Sequence, residues 1–469
     1  MCLPEAGTSA EVVRLPTPGD AKATTWRKGG VNAEGTRVKE IFRREAPASG
    51  PILVGVRGTW YDVTSYVKHH PGGDVILEYA GRDATAIFVA NHDERILKRH
   101  KRAGEYEWDE ARPKGDALEG DFLALAREFE TEGLFVTSMA WFRSRLYIWA
   151  AFLAATLGLI VAYTRGWWPS PAVLVLAALA LGGLWQQSGF LMHDLMHNHV
   201  FHQRRRDQNY GWFFGGVCFG IGARWWRDEH FEHHHFTNTY IEGVGRSDPQ
   251  MGEDVWCIDP HLLPFCAAVL PKRALDFMLR FQAYFWLPLV TISRLLLQLD
   301  AVLSEDRRSE FAAMALHWGG SALAVCAFPS WGEGLLFLSL ATFFCGTLHV
   351  QLLISHYAKP FAEKDAVKEG SYARRQLAVV VDVDSPPWLD WFHGGLNLHS
   401  VHHLYPRMCR EHYRAAHPRV RALCRTHGVE LTYVPFSRAV RMTMDHMGDV
   451  GAVCLKLCSA GAEGYIKYM

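Results

Sequence analysis

The sequence has no CxxC pair, no HExxH and no surplus of either charge, since 49 basic residues balance 49 acidic ones in 469. Without a net field, a polyanion such as nucleic acid would have to be met by a local patch. Ten cysteines scattered from Cys2 to Cys458 read as buried or free thiols rather than a disulfide scaffold, which favours a reducing, cytosol-facing context. The opening residues offer neither a basic n-region nor an apolar h-region, so a secretory leader is not expected. What is present is a 49% hydrophobic composition, too apolar for disorder, enough length for two or three domains, and 24 histidines.

Residues 1–36, rich in Ala, Gly, Thr and Pro, are expected to form a disordered tail. Residues 37–110 look like a small soluble α+β module: a strand-like ILVGVRGTWYDV, a turn at His70-Pro71-Gly72-Gly73, then a helical pattern. Residues 111–140, charged and broken by Pro113, Gly115 and Gly120, read as a linker followed by a helix approaching a membrane. The segment 141–436 is expected to be an all-α membrane domain with about four transmembrane helices, and 437–469 a tail without functional signal. The runs 146–163 and 172–192 are each close to the roughly 20 residues that cross a bilayer core, and 311–328 with 334–355 repeat the arrangement. The run 281–303 is apolar too but contains Gln282, Pro288, Arg294 and Gln298, and is expected to lie in the interface. Two hairpins leave every histidine cluster on one face. Arg143, Arg145 and Arg204–Arg206 against the lone Arg165 put that face in the cytosol.

Those clusters carry the chemistry. His193 and His197 stand at i and i+4, so a continuing helix puts both imidazoles on one side. His230, His233 and His234 share a face by i, i+3 and i+4, and His399, His402 and His403 repeat that spacing far downstream. Eight imidazoles exceed the needs of one ion. Nitrogen ligands favour a first-row transition metal over calcium or magnesium, and a zinc hydrolase requires only three protein ligands. Two non-haem irons fit best, able with dioxygen and two electrons to take hydrogen from an unactivated carbon chain.

Two resemblances follow. His70-Pro71-Gly72-Gly73, with Tyr61-Asp62-Val63 before it and Gly81-Arg82-Asp83-Ala84-Thr85 and Asn91-His92 after it, resembles a cytochrome b5 domain. In that family two histidines ligate haem b, which implies His70 and His92 here, with Gly72 and Gly73 allowing the tight turn. From about 40 to 435 the chain resembles front-end fatty acid desaturases with a fused cytochrome b5 domain. Their three boxes match His193 to His197, His230 to His234 and His399 to His403, flanked by Trp225-Trp226, Asp248-Pro249 and the run Pro386 to Leu396. Where that family usually opens the last box with Gln, this chain has His399, as methyl-end and acyl-CoA desaturases do. A further family ligand at the end of the fourth span falls on His356. His349 is expected to be a satisfied helix histidine, and His235 to support the ligands from behind.

The resemblance implies an oxygen-dependent membrane desaturase holding two irons on His193, His197, His230, His233, His234, His356, His399, His402 and His403. Its partners would be a lipid acyl substrate, dioxygen, the membrane and a cytochrome b5 reductase with NADH, with no nucleic acid. It also implies the endoplasmic reticulum, with the active site facing the cytosol. The expected product is a cis double bond on the carboxyl side of a polyunsaturated acyl chain. A delta-8 sphingoid base desaturase and a di-iron hydroxylase remain open, as does a haem membrane protein whose boxes hold no metal.

Overall fold

The computed structural model describes residues 50–460 apart from 71, 242–244, 247, 251–255, 305–306, 364–366 and 368–369. The expected tail at 1–36, the start of the 37–110 module and residues 461–469 fall outside them.

The amino-terminal module is built on an antiparallel sheet of β1 (Leu53–Val56), β2 (Thr59–Asp62) and β3 (Lys101–Glu105). Arg57 and Gly58, both at positive φ (49° and 76°), make the two-residue turn whose twist suits a hairpin. Helix α1 (Thr85–Asn91) buries Ala86, Ile87, Val89 and Ala90, and His92 caps its end. His70 ends a short 3-10 turn over Val67–His69.

Residues 111–140, expected to be a linker followed by a helix, contain α2 (Ala117–Thr131), capped by Asp116, which takes up half of the segment. The helix buries a stripe of Leu118, Phe122, Leu123, Ala126 and Phe129. One continuous core joins that stripe to Ile87 and Ala90 of the module and to Val401, Leu404 and Tyr405 beside the third box. Module and membrane part are therefore packed on each other.

Helices α3 (Met139–Thr164) and α4 (Pro171–Met196), each opened by a serine cap, form the first hairpin. Both are apolar all round, but only 17% of α3's most apolar window is buried against 72% for α4. The outer helix thus faces lipid and the inner one carries the site. Then follow α5 (Arg204–Trp212), a π-helical turn Phe213–Phe219, and α6 (Ala223–His235). Helix α7 (Lys272–Ser304) leads to a second hairpin of α8 (Arg308–Ala327) with α9 (Trp331–Cys345), which continues as α10 (Thr347–Leu353). Tyr163, at the end of α3, donates a 2.8 Å hydrogen bond to Glu333 at the start of α9, so the two hairpin turns meet at the end remote from the histidines.

By length and composition four helical stretches could cross a membrane: Met139–Thr164, Pro171–Met196, Lys272–Leu303 and Trp331–Leu353. Composition thus selects α7 and passes over α8, whereas the contacts of α7 argue otherwise. A third of the way along it Gln282 binds the backbone of Cys257, and just past its end Arg307 pairs with Asp228 of the second-box helix at 2.9 Å. A helix about 50 Å long whose far end stands on the histidine side, and whose middle packs Arg294 against Phe219 and Trp185, fits one lying along the interface. Arg294, the residue that weighed against a span, is buried: its guanidinium donates to Phe219 O and His317 Nε2 and lies over Trp185.

The last third supplies α11 (Tyr372–Ala378), α12 (Asp390–His393), α13 (His399–Leu404) and α14 (Tyr413–Thr426). The segment expected to be a tail forms α15 (Phe436–Ala460), which buries Ala439, Met447, Val450 and Cys454 in one core with Leu275, Met278 and Leu279 of α7.

Candidate metal centre

Four elements converge on one buried cluster. The end of α4 brings His193 and His197, α6 brings His230, His233 and His234, the turn after α10 brings His356, and α13 brings His399, His402 and His403. Spacing alone does the local work, since i, i+3 and i+4 share a helical face. The side chains fall into two sets whose ring nitrogens lie within 4.8 Å of one another: His193, His197, His230 and His402, and His233, His356 and His403. His234 stands between them, its ring 4.5 Å from that of His402 and 4.6 Å from that of His403. His399 joins the second set, with Nε2 2.8 Å from His356 and 3.1 Å from His403.

The outward nitrogens of five of these rings are tied down. Nδ1–H of His230 donates to Gln250 Oε1 (2.9 Å), that of His233 to Asp248 (3.0 Å), that of His356 to Val379 O (2.9 Å), that of His402 to Tyr413 Oη (3.0 Å) and that of His403 to Gln376 Oε1 (2.9 Å). Each bond fixes the tautomer with a bare Nε2 turned inward, the form that ligates a metal. His356 and His403 both aim bare Nε2 atoms at His399 Nε2. One ring hydrogen cannot satisfy both, whereas a cation can. Nε2 of His197 and of His233 is buried without a hydrogen-bond partner, again as a metal ligand would be. Burial, reinforced by neighbouring imidazoles, pushes His197, His230, His234, His399, His402 and His403 well below the ordinary histidine pKa, and His356 to about 3. All seven rings are neutral at physiological pH, the state a metal requires.

Gln250, Gln376 and Tyr413 escaped the sequence reading because each reaches its histidine only through the fold; Asp248 had stood out only as a flank of the second box. His235 turns its Nδ1 onto Phe231 O and belongs to neither set. Asp194 serves Arg410, at 2.9 Å, more closely than His193, at 3.9 Å. His349 departs from expectation: it is buried with neither ring nitrogen bonded.

In the module, the rings of His70 and His92 face each other with centroids 6.1 Å apart. Two metal–nitrogen bonds of about 2 Å plus the inner halves of two imidazoles span that distance, so the pair fits an axial haem iron. His70 Nδ1 donates to Gly73 O at 3.0 Å, and a Cβ on Gly72 would stand 3.0 Å from His70 Cε1, which explains a glycine there. Burial, then the charges of His70, His235 and Arg407, holds His92 at about 3.

Comparison with known families and proteins agrees with this geometry. The family model for fatty acid desaturase matches residues 166–435, and that for the cytochrome b5-like heme/steroid binding domain matches 39–107. An acyl-lipid (9-3)-desaturase of Borago officinalis is 27% identical over 86% of this chain and 91% of its own. A delta(8)-fatty-acid desaturase of Helianthus annuus is 26% identical over 85% and 87%. A delta 8-(E)-sphingolipid desaturase of Emericella nidulans is 27% identical over 70% of this chain and 62% of its own.

Proposed function

The chain belongs to the fatty acid desaturase family and carries a fused cytochrome b5-like domain, and from that premise we propose that it desaturates a polyunsaturated acyl chain on the carboxyl side of an existing double bond. The observation that carries this is the pair of imidazole sets with inward Nε2 atoms in a protein packed onto its own two-histidine haem module.

When bound, two non-haem irons would activate dioxygen to remove two hydrogens from adjacent methylenes, and haem b would relay the two electrons required. The residues proposed to hold the irons are His193, His197, His230 and His402 for one and His233, His356, His403 and His399 for the other, with His234 between them. His70 and His92 are the proposed haem ligands. Gln250, Asp248, Val379, Tyr413 and Gln376 orient the rings from outside, and burial keeps those of His230, His356, His402 and His403 unprotonated. Water is kept out by Leu195, Met196, Val401 and Leu404, all fully buried beside the ligands.

The electron source is proposed to be an NADH-dependent cytochrome b5 reductase, the location the endoplasmic reticulum, and the histidine face cytosolic, by the arginines at 143, 145 and 204–206. A second reading has specific support: relatives whose names say delta-8 fatty-acid and delta 8-(E)-sphingolipid desaturase align over most of this chain. Expression in yeast fed polyunsaturated acids separates the two by product. A new double bond on the carboxyl side of an existing one is expected; a carbon-8 unsaturated sphingoid base would move the substrate to the second reading, and a hydroxylated lipid would overturn desaturation.

A further inference from the structure

The haem module meets the membrane part beside His92. The backbone N–H of Arg407, just past the third box, donates to Ala90 O in the last turn of α1, at 3.4 Å. The Arg407 side chain is only 14% exposed and lies over the Phe135 ring at 3.8 Å. Among the described residues its one carboxylate within ion-pair reach is Glu130, at a loose 3.7 Å, and its Nε is buried without an acceptor. A guanidinium held this way leaves part of its fork unsatisfied at a desolvation cost. Nearby Asp93 is engaged by Arg95. The charge of Arg407 acts on His92, and that of Arg204, also from the membrane part, acts on His70. Haem b carries two carboxylates at its edge, and a guanidinium fork is their geometric complement.

We propose that Arg407 binds a carboxylate of the haem, so that the desaturase part of the chain completes the haem pocket. The proposal rests on His70 and His92 holding haem. Docking of the module and retention of its cofactor then become one event, and a cation sits where it stabilises the reduced, more negative haem.

The test uses the full-length protein in detergent, reconstituted with haem b or with its dimethyl ester, which has no free carboxylate. Haem release to an excess of apomyoglobin and the reduction potential are followed for wild type, Arg407→Gln and Arg407→Lys. With haem b, Arg407→Gln should release haem roughly tenfold faster, the worth of one charged hydrogen bond, and lower the potential, while Arg407→Lys retains much of both. With the ester, wild type and Arg407→Gln should behave alike. Equal release from wild type and Arg407→Gln with haem b would overturn the proposal. So would acceleration of the same size with the ester, because Arg407 would then act only by packing the module in place. Failure of the wild type to bind either haem would instead reject His70 and His92 as ligands.

Discussion

At the residue scale, five rings of the centre point inward because something outside holds them. Replacing His402 and His403 by Ala should abolish product and remove iron while the haem spectrum stays normal; product formation at the wild-type rate would reject the di-iron assignment. Gln376→Leu removes the acceptor of His403 Nδ1 and should lower iron affinity about 10–100-fold, read by metal analysis after dialysis. Acid should act on buried rings of both the metal centre and the haem module. His92 and His356 are held near 3, below the ordinary 6.5, so in metal- and haem-free protein the unfolded chain takes up protons that the folded chain refuses between those values. Stability should therefore be intact above about pH 6.5 and fall as pH drops toward 3, measurable as a lower unfolding temperature at pH 5.5 than at 7.5. The histidines of the three boxes were legible in the sequence because HxxxH and HxxHH encode a helical face locally. Gln250, Gln376 and Tyr413 were not, since they meet their histidines across 20, 27 and 11 residues of chain and no local pattern marks them.

At the scale of elements, the site depends on close approaches that only glycine allows. Gly394 ends α12 at φ 61°, with the Phe190 ring where a Cβ would stand. Gly394→Ala should cost about 2–4 kcal/mol through left-handed strain and overpacking, seen as a lower unfolding temperature together with weaker iron retention in the adjoining third box. Helix α7 shows where hydropathy misleads in both directions. Its Arg294 signalled a non-spanning segment although that side chain is buried among Phe219, His317 and Trp185, and its apolar length signals a span although its far end is tied to the second-box helix. Engineered glycosylation sites read the topology directly: acceptors in the turn after Thr164 and beside Phe328 should be modified in microsomes, and one beside Arg307 should not. The helix α15 was hidden because its apolar stripe lies among charged residues, in a segment whose overall composition resembles a tail, whereas a helix was expected where α2 stands and only its packing was not.

At the scale of the molecule, the two-part organisation was legible from its motifs, while the packing of one part on the other was not, because Ile87, Ala90, Phe122, Val401 and Tyr405 come from distant stretches and share a core only in the fold. Replacing His70 by Ala should abolish the haem spectrum and leave desaturation dependent on added cytochrome b5; undiminished activity without added donor would show that the fused module is not the donor. On the proposed electron route, a donor seated in the same core as its acceptor is not met by diffusion. Its effective concentration is fixed by geometry, at millimolar values or above even for a merely tethered partner. Electron delivery within one chain should then be first order and insensitive to dilution, so this protein need not compete for the membrane's shared pool of free carrier when that pool runs short.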